Sequence, residues 1–359
     1  MKIAIDISII TPNKAGIGYY AQSVVEALAK NDSKNEYTLF TNDKKNSTFN
    51  KLPKNFKVEE VVSERGGIKW IWKVSRRLRK EGFDILISPS NFSFAILFPR
   101  TIQIIHDLAP IKFPQFFSRK GVFMYRNLLN IALRRAYKIG VPSNAIRNEI
   151  IEYSTATQEK IFITGEGLHE WTFVKKDKDE EARVKKQYKL PSNFLLSVST
   201  LEPRKNHLRM IRAFTELTRD EPNLCYVVVG KKGWFYEEIF ETVERLGLED
   251  RVFFTGYVPE EDLPYILDQA NGFLYCSFYE GFGIPPIEAY SRGVPVLCSD
   301  ITVLKEVMGE NAIYADPLDY WDIYQKMKEL IILKRKKANS EVLDKFSWEQ
   351  CAKNITEEF

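Results

Sequence analysis

The sequence predicts an α/β protein made of two consecutive doubly wound units, and three observations carry that prediction. The chain has 359 residues, more than one ordinary domain of ~100–200 residues holds and too few for three. Short apolar runs alternate with helical patterns along its length, the pattern of mostly parallel sheets wrapped on both faces. A mixed-charge stretch without glycine, residues 169–190 (HEWTFVKKDKDEEARVKKQYKL), interrupts the alternation near the middle.

The first unit opens on a β-branched run, Lys2 to Ile9, then a Gly-containing loop, Pro12 to Gly18, then a helical stretch, Tyr19 to Lys30. Further strands are expected at Tyr37 to Thr41, Asp84 to Ser88, Thr101 to Ile105, Ile139 to Val141 and Ile161 to Thr164. Helical periodicity over about 70–81, 119–137 and 143–153 separates several of them. The stretch 169–190 reads as a solvated helix at the head of the second unit. Strands of that unit are expected at Phe194 to Ser199, Cys225 to Gly230, Val252 to Gly256, Gly272 to Cys276, Pro295 to Ser299 and Ala312 to Tyr314. Its helices are expected at Asn206 to Thr218, Trp234 to Leu246, Pro259 to Ala270 and Ile287 to Arg292. Self-similarity at a solenoid period is absent from the sequence.

Composition narrows the classes. With 44% hydrophobic, 28% charged and 13% aromatic residues, the chain is neither disordered nor collagenous and can bury two cores. The four cysteines, 225, 276, 298 and 351, form no CxxC and no ligand spacing, which argues against a disulfide scaffold or a zinc site and for reduced thiols in a cytosolic compartment. The first residues, MKIAIDISII, lack a charged-then-apolar leader with a cleavage site. The longest apolar stretch, Phe83 to Pro99, carries Asp, Ser, Asn and Pro and falls short of a ~20-residue span. Secretion and integral membrane insertion are therefore not expected. The net charge of +4 hides an asymmetry: residues 1–165 hold 26 Lys and Arg against 14 Asp and Glu, and the remainder 26 against 34. A basic half joined to an acidic half suggests that one of them meets something anionic.

Four segments could carry chemistry. Residues 279–293, YEGFGIPPIEAYSRG, place Glu280 and Glu288 eight apart. Pro286 suits a first helical turn, so Glu288 falls near a helix start and Glu280 in the loop before it. Gly281 and Gly283 let backbone N–H groups approach an anion. A surface loop with two solvated carboxylates fits the same pattern. Residues 199–207, STLEPRKNH, put Arg204 and Lys205 between a strand and a helix, where open α/β sheets bind ligands. A guanidinium fork with an ammonium beside it suits a diphosphate, although an ordinary basic helix cap has the same residues. Gly16 and Gly18, in PNKAGIGYY, follow the first strand; their GxG is too short for a dinucleotide fingerprint and fits a tight turn equally. His106, one of three histidines, follows the strand TIQII, and is either a site residue or a loop histidine bonded to backbone.

Taken together, in order and at this spacing, these segments resemble the retaining GT-B glycosyltransferases of family 4, the group 1 glycosyltransferases. Glu280-x7-Glu288, STLEPRKN, HDLAP, the glycines of AGIG, TGYVPEEDLPYIL and ADPLDY carry the resemblance. It implies a GT-B fold of two Rossmann-like domains facing a central cleft: residues 1–168 binding acceptor, joined by a terminal helix over 345–359 with Trp348 as anchor, and residues 169–344 binding the nucleotide-sugar. It further implies that Glu288 accepts hydrogen bonds from ribose hydroxyls. Glu280 would hold hydroxyls of the transferred sugar with backbone groups of Phe282, Gly283 and Ile284, and Arg204 and Lys205 would neutralise the leaving diphosphate. Gly16 and Gly18 would close over the phosphates, and His106 would contact the donor sugar. Gly230 and Lys231, in the loop to Trp234, and Tyr257 and Val258 would border the base. No metal and no cofactor beyond the nucleotide-sugar are implied. Attack would come from the face the phosphate leaves, without a protein nucleophile.

A glycosidase using Glu280 with a second carboxylate would leave Arg204 and Lys205 without purpose. The versions of STLEPRKN and HDLAP resemble those of mannosyl- and rhamnosyltransferases of surface polysaccharide assembly. GDP-mannose is therefore the first expectation for the donor, with UDP-linked hexoses as the alternative, and a saccharide or lipid-linked saccharide is the expected acceptor. Two other readings are a hydrolysing sugar-nucleotide epimerase of the same fold and a non-catalytic nucleotide-binding peripheral membrane protein. Residues 69–81 put Trp70, Ile71, Val74 and Leu78 beside Lys73, Arg76, Arg77, Arg79 and Lys80, and residues 119–138 put Phe123, Tyr125, Leu128 and Leu129 among six cations. Such helices suit an anionic membrane surface or, equally, a core stripe with a solvated basic face. No nucleic-acid-binding motif is present. The expected location is cytoplasmic, with a peripheral place at the inner face of the membrane as the further option that those helices open.

Overall fold

The computed structural model of the chain describes residues 1–11, 16–43, 49, 51–63, 67–90, 94–154 and 158–359. The chain divides into two compact units, Met1–Gly167 with Phe346–Phe359, and Leu168–Lys345. Leu168 and Lys345 therefore both belong to the second unit.

The first unit runs β1 (Lys2–Asp6), α1 (Gly16–Asn31), β2 (Glu36–Thr41), β3 (Phe56–Glu60), α2 (Ile68–Lys80), β4 (Ile85–Ser88), β5 (Thr101–Ile104), α3 (Ala109–Lys112), α4 (Arg119–Arg135), β6 (Lys138–Val141), α5 (Asn144–Tyr153) and β7 (Ile161–Ile163). Its strands are all parallel, in the order β3-β2-β1-β4-β5-β6-β7. Successive residues of β1 point to opposite faces: Ile3 and Ile5 pack with Tyr20, Val24 and Leu28 of α1, while Ala4 packs with Trp70, Val74 and Leu78 of α2. Burial on both faces is why Ile3, Ala4 and Ile5 follow one another as apolar residues without alternation. β3 has no such run. Three of its five residues are charged, which an edge strand with one neighbour tolerates.

The second unit runs α6 (Lys178–Gln187), β8 (Phe194–Val198), α7 (His207–Asp220), β9 (Cys225–Val229), α8 (Glu237–Arg245), β10 (Val252–Gly256), α9 (Leu263–Gln269), β11 (Gly272–Tyr275), α10 (Ile284–Ser291), β12 (Val296–Ser299), α11 (Thr302–Met308), β13 (Ile313–Ala315), α12 (Tyr320–Ile331) and α13 (Ser340–Leu343). The strands are parallel, in the order β10-β9-β8-β11-β12-β13. α6 is a solvated helix with a single buried residue, Val184; Asp177 caps it, and acids in its first turn and lysines in its last complement its dipole. α6 begins at Lys178, inside the expected 169–190, and α9 at Leu263 rather than Pro259; two further helix starts differ from the sequence expectation for local reasons. α8 begins at Glu237 rather than Trp234 because Phe235 adopts a left-handed backbone, φ 54°. α10 begins at Ile284 rather than Ile287 because its first turn accommodates Pro285 and Pro286.

Both sheets reverse strand order once, between β1 and β4 in the first unit and between β8 and β11 in the second. At such a switch point adjacent connections leave in opposite directions and open a crevice at the strands' C-terminal ends.

The chain ends on α14 (Trp348–Thr356), which returns to the first unit. Its buried residues Cys351, Ala352 and Ile355 join the α1 side of the core. The Trp348 ring meets Tyr20 edge-on at 5.6 Å, and a Cβ on Gly167 would lie 2.5 Å from the Trp348 backbone nitrogen. Asn354 Nδ2 donates to the carbonyls of Ile163 and Thr164, each at 3.2 Å.

Candidate active site

The connections after β8 and β11, which flank the switch point of the second unit, meet in one charged cluster. After β8 the chain makes a short 3-10 turn, Pro203–Lys205, ended by Asn206 in a left-handed conformation, φ 59°. Asn206 holds that conformation because its Nδ2 donates to the carbonyls of Cys276 and Pro317, each at 2.8 Å. The Phe278 amide donates to the Arg204 carbonyl at 2.9 Å, a second tie between the two connections. Arg204 and Lys205 therefore project from a turn fixed at both ends.

Both point at Glu280, which is 5% exposed. Lys205 Nζ lies 2.7 Å from Glu280 Oε1 and 3.0 Å from the Tyr275 hydroxyl. Arg204 Nη1 donates to Glu280 Oε2 at 3.0 Å and to the Tyr279 carbonyl at 2.8 Å, while its Nε lies 3.0 Å from Glu202 Oε1. Burial pushes the Glu280 carboxyl up, but Lys205 and Arg204 outweigh it and hold the group at about 2. Burial pulls the Lys205 ammonium below its usual range, with Glu280 opposing and Arg204 adding to the effect. Burial first, then the Glu280 charge, pushes the Tyr275 phenol well up, so it stays protonated. A carboxyl held this low is ionised at neutral pH. Its lone pairs can accept from hydroxyl groups.

The glycines around this cluster have steric reasons. A Cβ on Gly230, after β9, would sit 1.8 Å from the Ser199 carbonyl oxygen, so the loop after β9 can lie against the end of β8 only with glycine there. Gly283 caps α10 at φ 105°, where a Cβ would also lie 2.6 Å from Leu304. It turns the chain from Phe282 into Ile284, the first residue of α10. Lys231 accepts the Leu201 amide at 2.9 Å through its carbonyl. Tyr257, exposed, and Val258, buried, follow β10. Because all strands of the sheet are parallel, the connections bearing Arg204, Gly230, Tyr257 and Glu280 share one edge.

Glu288 lies on α10 and is 6% exposed. Its Oε1 is 2.7 Å from His169 Nδ1. Sequence reasoning missed His169, as it missed Tyr275 as the partner of Lys205 and Glu202 as the partner of Arg204. Glu202 stands inside the quoted STLEPRKN, but the position of His169, 119 residues from Glu288, carries no pattern.

His106, Gly16 and Gly18 belong to the first unit. His106 follows β5, the strand beside β4; its Nε2 lies 2.7 Å from the Pro89 carbonyl oxygen, its Nδ1 3.9 Å from Glu166 Oε1, and its ring meets Tyr20 edge-on at 4.6 Å. It is thus both at a strand end and bonded to backbone. Gly16 begins α1 with open space where a Cβ would be, and Gly18 is buried in that helix. The rest of the expected loop, residues 12–15, lies outside the described residues.

The two basic helices differ. The apolar stripe of α2, Trp70, Val74 and Leu78, is core; Ile71 packs partly against it, and Arg77 pairs with Glu59 and Glu81. α4 buries only Leu129, Ala132 and Leu133, while Phe123 (71% exposed), Met124, Leu128 and Ile131 face outward at helical spacing. Among the described residues, Arg119, Lys120, Arg126, Arg134 and Arg135 have no carboxylate partner. Pro114, Arg119, Val122, Phe123 and Arg126 line a shallow hollow there. No helix among the described residues is long and apolar enough to cross a membrane, and no group of three or more His, Cys, Asp or Glu gathers among them as a metal site would.

Two parallel sheets, each reversed once, with a paired carboxylate and two cations at one switch point, are those of the GT-B class of glycosyltransferases. Solved structures share the fold across nearly the whole chain. A sucrose-phosphate synthase from Thermosynechococcus elongatus superposes with a TM-score of 0.80 at 19% identity, covering 99% of this chain and 97% of that one. Anabaena Alr3699/HepE in complex with UDP-glucose gives 0.76 at 19% identity, covering 99% and 98%. Two family models match in tandem, Glycosyltransferase Family 4 over residues 15–167 and Glycosyl transferases group 1 over residues 178–341. The chain belongs to that family of glycosyltransferases. The O-antigen chain mannosyltransferase B of Escherichia coli is 33% identical over 239 residues, 66% of this chain and 62% of that protein. The O-antigen chain mannosyltransferase RfbU of Salmonella typhimurium is 29% identical over 248 residues, 69% of this chain and 65% of that protein. The chain spans less than two thirds of the length of the curated relatives it matches.

Proposed function

We propose that the protein transfers mannose from GDP-mannose to a saccharide or lipid-linked saccharide acceptor in surface polysaccharide assembly, with retention of anomeric configuration. The observation that carries this reading is the buried Arg204–Lys205–Glu280 cluster at the switch point of the second unit. Lys205 has three donors and, among the described residues, two partners, so a phosphate oxygen can take the third. Negative charge that grows on the leaving diphosphate would meet cations already in place, the arrangement that lowers a barrier without reorganisation. Glu280, ionised and directed by both cations, would accept from hydroxyls of the sugar; Glu288 would accept from the ribose. His106 would meet the sugar from the first unit, and Gly16 and Gly18 would let the chain approach the phosphates. Gly230, Lys231, Tyr257 and Val258 would border the base, with the amides at Phe282, Gly283 and Ile284 beside the sugar. The departing phosphate oxygen takes the acceptor's proton, so no protein nucleophile and no metal is needed. Mannose is supported by the names of the relatives, and guanine is the base such donors carry. A thermal-shift panel of GDP-mannose, UDP-glucose, dTDP-rhamnose and ADP-glucose tests the donor, since a ligand of the native state raises its melting temperature. GDP-mannose should give the largest shift; a larger shift with another donor overturns its choice.

The exposed apolar row and the cations of α4 favour a second reading: this helix rests on the anionic inner face of the cytoplasmic membrane, where a lipid-linked acceptor would be presented.

A further inference from the structure

Glu288 owes part of its geometry to a residue outside its own helix. His169 lies on the segment between β7 and α6, and its Nδ1 reaches Glu288 Oε1 at 2.7 Å. The imidazole does not arrive there on a loose loop. Its ring stacks on Trp171 with 9° between the planes, and the Thr172 hydroxyl donates to the His169 carbonyl at 2.6 Å. One turn beyond Glu288, Arg292 Nη1 donates to the Thr172 carbonyl at 3.1 Å and also to the Val174 carbonyl. Arg292 is fixed in turn by Asp268, whose side chain is wholly buried. The segment carrying His169 is therefore strapped to α10 at two points, the histidine–glutamate contact and the Arg292 contacts.

We infer that His169 is a positioning residue for Glu288: with Nδ1–H donating to Oε1, it fixes the plane of the carboxylate so that the remaining lone pairs meet a vicinal diol. This rests on the reading of Glu288 as the ribose acceptor. A glutamate carboxylate on three rotatable bonds can present its oxygens in many directions, and a cis-diol needs both hydroxyls met at once. One hydrogen bond from His169 occupies one lone pair of Oε1 and leaves its second, with both of Oε2, for the two hydroxyls. The ligand class is a nucleotide with an intact ribose, and the role concerns discrimination between ribose and its deoxy forms.

The test measures affinities by calorimetry for GDP or UDP, whichever the wild-type protein binds more tightly, and for its 2′,3′-dideoxy form. Wild type, His169→Phe, His169→Asn and Glu288→Gln are compared. Phe keeps a ring to stack on Trp171 and removes the donor; Asn places its Nδ2 where His has Nδ1. His169→Phe should lose roughly tenfold in preference for the ribose form, the scale of a hydrogen bond to a charged group, with affinity for the dideoxy form unchanged. His169→Asn should keep most of the preference. A histidine that only props up the fold would weaken both ligands alike, and that result overturns the inference, as does a full ribose preference in His169→Phe. Should His169→Phe fail to fold, a folded His169→Asn without the preference overturns it as well. A wild-type protein indifferent to the dideoxy change would instead overturn the ribose reading of Glu288 itself.

Discussion

Lys205 Nζ and Glu280 Oε1 stand 2.7 Å apart, one from the connection after β8 and the other from the connection after β11. The contact joins two groups that pattern reasoning keeps separate, a diphosphate clamp and a sugar-binding carboxylate. A buried cation and a buried carboxylate each cost free energy to desolvate, and each supplies the other's counter-charge. The cluster is thus held ready in the free protein, and a bound diphosphate would share cations that are already desolvated.

Truncating a single charged side chain of the site should cost catalysis. Arg204→Ala or Glu288→Ala should remove most transfer activity, and for Arg204 roughly a hundredfold to a thousandfold in kcat is the scale of a lost donor to developing negative charge. Melting temperature measured alongside should fall less for Glu288→Ala than for Glu280→Ala, because Glu288 holds the His169 imidazole alone whereas Glu280 holds both Lys205 and Arg204. Wild-type turnover in either variant rules out the assignment. Glu280→Ala is different, since it strands both Lys205 and Arg204 and should destabilise the protein by about 3–5 kcal/mol in a denaturant titration.

Two pH windows of stability should be separable in the second unit. His207, buried beside the Ser199 hydroxyl at 3.0 Å, is pulled down by burial and then by Lys205, from 6.5 to about 4. Because the folded value is the lower, the unfolded chain takes up the proton first. Stability is complete above about pH 6.5 and is lost as the pH falls through about 4, each pH unit of that interval costing at most roughly 1.4 kcal/mol. Glu280 behaves in the same sense over a lower window, from 4.5 down through about 2. Melting curves at stepped pH should show the upper window disappear in His207→Asn while the lower one remains. An unchanged pH dependence in that variant would refute the histidine's part.

Much of this was legible in the sequence, and what was not has physical reasons. Strands buried on both faces, such as β1, β8 and β11, announce themselves as apolar runs. β3 does not, because an edge strand carries Lys57, Glu59 and Glu60 without penalty. Arg204, Lys205, Glu280 and Glu288 stood out because short motifs concentrate them. Tyr275 and His169 did not, because a tyrosine ending an apolar run and a histidine in a charged segment acquire meaning only when folding brings a partner to them. The basic helices show the same limit. Periodicity assigned α2 and α4 alike, and only packing separates a stripe that is core from one that is exposed.

Gly230→Ala should be severe although only one methyl group is added. The new Cβ would stand 1.8 Å from the Ser199 carbonyl oxygen, a backbone atom at the end of β8 that cannot rotate away. The Gly230 amide also donates to the Gly256 carbonyl at 2.9 Å, so the connection after β9 is held from its other side. The chain must shift at Ser199 or Gly230, at a cost of about 1–3 kcal/mol, and the shift moves the turn carrying Arg204 and Lys205. A lowered melting temperature with weaker nucleotide-diphosphate binding is expected; Gly16→Ala, where a Cβ meets open space, serves as the control that leaves stability unchanged.

The α4 surface yields the last prediction. Phe123, Met124, Leu128 and Ile131 are exposed on a 17-residue helix that contains five cations and no acid. In water that row carries a free-energy penalty, and burying it to the depth of a headgroup layer recovers about 25 cal/mol per Å² of apolar area, while each cation near an anionic leaflet adds about 1 kcal/mol. Sedimentation with vesicles containing anionic lipid should retain the wild-type protein at low salt and release it as salt is raised, because surface charges are screened. Phe123→Ser with Leu128→Ser should weaken retention at every salt concentration, whereas Arg119→Gln with Arg126→Gln should weaken it at low salt and flatten the salt dependence. Those four side chains lie outside the protein core, so melting temperature and transfer to a water-soluble acceptor should be unchanged in both variants. Failure of anionic vesicles to retain the wild-type protein at low salt would reject the membrane reading and leave the donor site untouched.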